Sequence, residues 1–210
     1  MMRLNDRGDN VKALQTKLGI VADGIFGKDT ENAVKRFQRD NGLAVDGIAG
    51  AATCAQLGLY TRSIKEIIVH CEATPEGEEF SRATLEASHK ARKFSAYKIN
   101  GRIEHIGYHY VIHLDGSIEA CRPVEIAGCH CSGHNANSIG VSYVGGCPAR
   151  SAKDWNLKAK DTRTPKQKES LLSLLKQLKA KYPIAEIHGH RDFANKACPS
   201  FDATKEYRGL

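Results

Sequence analysis

The chain predicts an α/β fold, with a mixed central β-sheet flanked by helices and a small three-helix bundle ahead of it. Two observations carry this. Before residue 59, apolar residues recur at helical spacing around two similar glycine-rich turns; after residue 63, β-branched runs alternate with helical stretches and include one hairpin signal. With 210 residues, 41% of them hydrophobic and 26% charged, the chain has apolar material for one large core or two small ones. The division reads as residues 1–58 for a helical domain, 59–63 for a joint and 64–210 for the α/β domain.

In the first part, Val11, Leu14 and Leu18 mark a short helix that Gly19 ends. "VADGIFGKDT" at 21–30 and "AVDGIAGAAT" at 44–53 then repeat an Asp-Gly-Ile-x-Gly turn followed by a threonine. Asp23 and Asp46 suit the turn starts, and Gly24, Gly27, Gly47 and Gly50 permit positive φ. Between the turns, "DTENAVKRFQRDNG" reads as a helix capped by Asp29 or Thr30, striped by Val34 and Phe37 and stopped by Gly42. A third helix starts near Ala51.

In the second part, "IKEIIVHC" (64–71) is a β-branched run and predicts a strand. "EEFSRATLEASHKARKF" predicts a helix with Phe80, Leu85 and Ala91 on its apolar side. "IGYHYVIHL" (106–114), "SIEAC" (117–121) and "SIGVSYVG" (138–145) predict further strands, the first two joined at Asp115-Gly116. A long helix follows, with Thr164 as cap, Pro165 at its first position and Gln167 closing a capping box. Leu171, Leu174, Leu175, Leu178 and Tyr182 stripe one face of it. A last short strand, "IAEIH", leads into "GHRDFANKACPSFD" (189–202).

Composition excludes several classes. The net charge of +7 is spread thinly, with no basic run longer than two, whereas a nucleic-acid binder clusters its charge. A diffuse positive surface suits loose attraction to an anionic polymer. No run reaches the length of a membrane span, and "MMRLNDRGDN" has no signal-peptide core, so cytoplasmic synthesis without a signal peptide and no membrane partner are expected. The seven cysteines form no CxxC pair, and most are expected as free, buried thiols. A monomer is expected.

Strand ends fix side chains where loops give access, which is where a catalytic metal is best held. His70 ends the first strand, His190 follows the last, and Cys198 comes eight positions later, before Pro199, which restricts it to extended backbone. Three nitrogen or sulfur ligands with one open position make a catalytic zinc site. His89 reads as a packed helical residue, and Cys71 as core facing away from the ligand beside it. His109 and His113 are given no role. His188 shares the face of His190, and His134 and Asn137 are expected substrate contacts.

Two resemblances extend this reading. Residues 6–58, with "DGIFGKDT", "AVKRFQ" and "NGLAVDGIAG" in order, resemble the peptidoglycan-binding type 1 domain, which implies a non-catalytic wall anchor. Residues 64–204, with "IIVHCEATPEG", "IGYHYVIHLDG", "GCHCSGHNANSIGVSYVGG" and "GHRDFANKACPSFD", resemble the zinc-dependent N-acetylmuramoyl-L-alanine amidases, most closely their phage-lysozyme branch. Animal peptidoglycan recognition proteins share that fold. The resemblance implies zinc ligands at His70, His190 and Cys198, one ion per chain, catalytic residues at Tyr108 and Lys196, and a groove-lining residue at His130. It implies hydrolysis of the amide between N-acetylmuramic acid and L-alanine, peptidoglycan as partner, and a phage or prophage endolysin that reaches the wall after release. Lys196 faces the oxyanion in that chemistry, and Tyr108 donates a hydrogen bond or moves the proton. Ser142 stands where many bacterial relatives carry a glutamate base. The extra segment at 95–105 is expected as a rim loop. The alternative is a non-catalytic peptidoglycan receptor on the same fold, but such members have usually lost the ligand cysteine and Cys198 is present. A bacterial recycling amidase is disfavoured by the wall-binding module.

Overall fold

Three helices open the chain: α1 (Asp9–Leu18), α2 (Lys28–Asp40) and α3 (Ala51–Gln56). They appear in a computed structural model that describes residues 1–59, 62–99 and 102–210. Of the expected joint, Tyr60 and Thr61 lie outside the described residues, and Leu59 packs on the helical core. Val11, Leu14, Phe26, Val34, Cys54 and Leu57 form that core. Gly19 ends α1 in the left-handed conformation, as its position predicts. Gly24 and Gly47 take positive φ (78° and 75°), but Gly27 and Gly50 are extended and serve as N-caps. Thr30 is therefore not the cap of α2; it lies inside the first turn, with another partner.

That partner is a buried glutamine, and it occurs twice. Gln15 in α1, 1% exposed, donates to Asp23 Oδ1 (2.7 Å), Ile25 O (3.0 Å) and Thr30 Oγ1 (2.9 Å), and accepts from Gly24 N (2.8 Å). Gln38 in α2 repeats the set on Asp46 (2.8 Å), Ile48 O (2.9 Å), Thr53 (3.1 Å) and Gly47 N (2.9 Å). Each repeated turn is thus tied to a helix on either side. Gln38→Leu is expected to lower stability by about 3 kcal/mol, because several buried groups lose their partner at once. Urea unfolding of the full chain checks it, and a loss below about 1 kcal/mol would show that the turn holds itself.

After the joint come β1 (Glu66–Cys71), β2 (Thr74–Pro75) and α4 (Arg82–Ala91). Ser81 caps α4 through Thr84 N, so Phe80 falls outside the helix expected to contain it. The segment expected as a rim loop forms a hairpin, β3 (Tyr97–Ile99) and β4 (Arg102–Glu104), in which the Tyr97 hydroxyl donates to Glu104 (3.0 Å). Asn100 and Gly101 at its tip lie outside the described residues. Then follow β5 (Tyr110–Ile112), β6 (Ile118–Ala120), β7 (Ser138–Tyr143), β8 (Gly146–Cys147), α5 (Pro165–Lys181), β9 (Glu186–Gly189) and α6 (Ala203–Glu206). By Cα proximity the chain forms two compact units: Met1–Arg62 with Ala96–His105 and Glu125–Ala127, and Ser63–Ser95 with Ile106–Val124 and Gly128–Leu210.

The second unit is built on a five-stranded sheet of order β6-β5-β7-β1-β9. β5, β7, β1 and β9 run parallel, and β6 joins antiparallel to β5. Alternation sends Ile67, Val69 and Cys71 of β1 to one face, where they meet Leu171, Leu174, Leu175 and Leu178 of α5. Ile68 and His70 take the other face. The capping box predicted at Thr164 is present, and Gln167, fully buried, also donates to Ile112 O (3.2 Å) and Val144 O (2.9 Å). One polar side chain thereby joins the start of α5 to the ends of β5 and β7. The seven cysteines are free thiols. Among the described residues no helix is long and apolar enough to cross a membrane.

Candidate functional site

Ligands in parallel α/β sheets gather at the carboxyl ends of the strands, and here that edge carries the histidines. β1 pairs with β7 so that His70 stands opposite Ser142, and with β9 so that Val69 stands opposite Gly189. His190, the next residue, therefore arrives beside His70, their rings 4.5 Å apart. The tail then folds back. Arg191 N donates to Cys198 O (2.7 Å), and the Tyr143 hydroxyl donates to Pro199 O (2.7 Å). Gly189 permits this closeness, since a Cβ there would meet Pro199 Cδ at 2.9 Å. Beyond Cys198, Arg163 lies over the Phe201 ring (3.2 Å) and pairs with Asp161 (2.8 Å) and Glu206 (2.9 Å), securing the segment against α6.

The three expected ligands come together: one ligand atom each from His70, His190 and Cys198 lie within 4.8 Å of one another. His70 Nδ1 is 3.8 Å from Cys198 Sγ, close to the roughly 3.5 Å that tetrahedral zinc bond lengths impose. Burial, then the charges of His190 and Lys196, hold His70 well below the usual histidine range; burial and Lys196 lower His190 as well. Both imidazoles are thus neutral at ordinary pH, the form that binds metal. Cys71 takes the core face as expected, yet its N–H reaches Cys198 Sγ (3.3 Å). Interaction between the two thiols lowers Cys71 to about 7 and raises Cys198, while the Cys71 N–H acts against that rise. The Cys71 N–H favours the anion on Cys198. Two imidazoles and a thiolate are a soft-to-borderline set that suits a zinc-type ion.

Two cavities, of about 510 and 220 Å³, adjoin the cluster, and His130, His190, Lys196, Arg92 and Phe94 line both. Tyr108 lines the smaller one, 5.1 Å from His70 ring to ring. Burial, reinforced by the Glu72 charge, holds its phenol far above the usual range, so it remains a hydrogen-bond donor. Lys196 is exposed at the rim. Tyr108 precedes β5 and is not within it as expected. Next to it, Gly107 runs close to a neighbouring segment: a Cβ there would meet Cys129 O at 2.3 Å. His130 is 8% exposed, with Nδ1 3.0 Å from His70 Nε2. His134 and Asn137 line neither cavity; His134 pairs with Glu66 (2.9 Å) and stacks on Phe193 (3.9 Å), while Asn137 O accepts from Lys65 N (2.8 Å). His188 turns to Glu186 (3.4 Å) and Asp192 (3.8 Å).

Several cavity residues were not picked out from sequence. Glu72, one residue past β1 and two after His70, lines the smaller cavity and is pushed up to about 8 by burial. Ser142 lies beside it and acts against that rise; among the described residues Glu72 Oε1 and Ser142 Oγ are buried with no other hydrogen-bond partner. The signal was a carboxylate two positions beyond a ligand. Asn135 lines the larger cavity and accepts from His130 N (2.8 Å) and Cys131 N (2.9 Å). Arg92 lies 4.4 Å over Phe94, which stacks on His89. His89 is structural as expected, accepting from Gly107 N (3.1 Å).

Comparison with known proteins agrees with this geometry. Residues 60–201 match the N-acetylmuramoyl-L-alanine amidase family model, and residues 7–57 match the putative peptidoglycan binding domain. The endolysin of Escherichia phage T7 is 39% identical over 140 residues, 67% of this chain and 83% of that protein. The endolysin of Klebsiella phage KP32 is 38% identical over 138 residues, 65% and 81% of the two chains. Among solved structures, the amidase LysC from Clostridium intestinale superposes with a TM-score of 0.53 at 26% identity, covering 69% of this chain and 81% of its own. Drosophila peptidoglycan recognition protein SD shares the fold, with a TM-score of 0.52 at 16% identity over 71% of this chain and 82% of its own. With the histidine–histidine–cysteine cluster, the cavity beside it and a family match over most of its length, the chain belongs to the N-acetylmuramoyl-L-alanine amidases, enzymes that hydrolyse peptidoglycan.

Proposed function

We propose that the chain is an endolysin that opens the bond between N-acetylmuramic acid and L-alanine in the bacterial wall, with one zinc ion held by His70, His190 and Cys198. The observation that carries this is the convergence of those three ligand atoms beside a cavity of about 510 Å³. Zinc bound there supplies a Lewis acid and a water acidified from about 16 toward 7. The chain's own groups do the rest. Tyr108, held neutral, donates its O–H to the reacting amide and sets its orientation. The Lys196 ammonium stands at the rim, where the carbonyl oxygen gains negative charge as the amide turns tetrahedral. Digestion of purified wall should release new L-alanine amino groups and no new reducing sugar ends. Reducing ends without new amines would refute the assignment.

Residues 1–58 supply none of the ligand trio, and their match to a peptidoglycan-binding domain supports a role in attachment. On an insoluble polymer, tethering turns later encounters into intramolecular ones at millimolar-scale effective concentration. A chain beginning at Ser63 is therefore expected to cleave a small soluble muramoyl peptide nearly as fast as the whole protein. On intact wall, at low enzyme concentration, it should be on the order of a hundredfold slower, the lower end of the range that linked binding sites provide. Equal rates on intact wall would remove the anchoring role.

A further inference from the structure

We propose that His130 is a positioning residue for the metal ligand His70: it sets the tautomer of that imidazole and so aims Nδ1 at the metal. This rests on the metal reading above. The order of donors and acceptors runs from a fixed end. Ser138 Oγ lies 2.8 Å from His134 O, and a carbonyl only accepts, so the serine hydrogen points there. The serine oxygen then offers a lone pair to His130 Nε2 at 3.5 Å, which places the proton of His130 on Nε2. Nδ1 of the same neutral ring is left as an acceptor, 3.0 Å from His70 Nε2, and His70 must donate. With its proton on Nε2, His70 keeps a bare Nδ1, the nitrogen 3.8 Å from Cys198 Sγ. The opposite order would put a proton on the nitrogen that faces the other two ligands.

The slot is built for this one ring. A Cβ on Gly128 would meet His130 Cδ2 at 2.3 Å, and one on Gly140 would meet it at 2.5 Å, so only glycine fits at either position. Gly140 is itself held by His109, fully buried, whose Nδ1 accepts from Gly140 N (2.9 Å) and whose N donates to Gly140 O (2.9 Å). The carboxamide of Asn135 pins the backbone of His130 and Cys131. Although His130 lines the groove, both of its ring nitrogens face protein partners. That separates it from a residue whose main work is to grip substrate. Partners that orient a metal-binding imidazole change metal affinity about 10- to 100-fold when removed.

The test uses the full chain. Long-range proton–nitrogen correlation spectra of metal-free protein should show His70 protonated on Nε2 and bare on Nδ1. His130→Phe fills the slot without an acceptor; in competition with a chromophoric chelator it should bind zinc about 10- to 100-fold more weakly and show a mixed His70 tautomer. His130→Asn restores an acceptor near the place of Nδ1 and should recover most of the affinity. Finding His70 protonated on Nδ1 in the wild-type protein would overturn the proposal whatever the variants do. So would a folded His130→Phe protein with wild-type zinc affinity that loses only substrate KM. Failure of the wild type to bind zinc at all would refute the metal reading instead, while the tautomer spectrum would still judge this one.

Discussion

Cys198→Ser and His70→Ala are expected to abolish amide hydrolysis, with turnover falling about a thousandfold or more. The figure follows from the several kcal/mol of charge stabilisation that a bound metal gives a carbonyl transition state, at about 1.4 kcal/mol per decade of rate. The two variants differ in what else they disturb. Cys198 is half-buried at the end of the returning tail, and serine conserves its shape, so the fold should survive and only the soft ligand is lost. His70 is fully buried in the sheet and bonded to His130, so alanine there also leaves a cavity. Metal content by atomic absorption, amine release from wall and a melting curve separate these effects. A chelator should reproduce the loss in the wild-type protein. Unchanged lysis after complete metal removal would end the metal-dependent account.

Lys196→Ala and Tyr108→Phe are expected to lower kcat by roughly a hundredfold each, the loss seen on removing one oxyanion donor, while metal content stays at the wild-type level. Lys196 is exposed, so its removal disturbs no core, and phenylalanine keeps the Tyr108 ring against His70 and His89. Lys196 has a second effect. Burial is the main reason that His70 and His190 resist protonation, but the lysine charge adds to it. Without that charge both imidazoles accept a proton at higher pH, and protons then compete with the metal sooner as pH falls. The acidic limb of activity should therefore move to higher pH in Lys196→Ala. A limb that stays in place would show that burial alone keeps the ligands neutral.

Much of this site was legible from residue types at strand ends. His70 and His190 had to be neighbours once their strands paired, and the short path to Cys198 left the tail little choice but to return. The start of α5 was legible because its capping signals are local, all within Thr164–Gln167. What escaped were contacts that depend on a distant partner. Gln15 and Gln38 looked like ordinary polar helix positions, because the atoms that bury them lie 8 to 15 residues further on. Glu72 was passed over, although continuing the alternation one residue past β1 puts it on the side of His70. Tyr108 was given to a strand because its neighbours are β-branched or aromatic, but β5 starts two residues later, at Tyr110.

The paired glutamines of the first unit also set a rule of growth. Gln38 follows Gln15 by 23 residues, and Thr53 follows Thr30 by the same step. The link is directional: each helix reaches forward with a glutamine, and the next receives it with a threonine. The middle helix does both, as a bifunctional unit does in a linear polymer, and nothing in the link closes it on itself. One step before Thr30 stands Arg7, and one step after Gln38 stands Thr61, so neither end offers a third coupling. Side-chain chemistry at two positions thus ends this series of couplings after its second link. A further 23-residue copy inserted between α2 and α3 would find Gln38 before it and Thr53 after it, so the series lengthens from within and not from its ends.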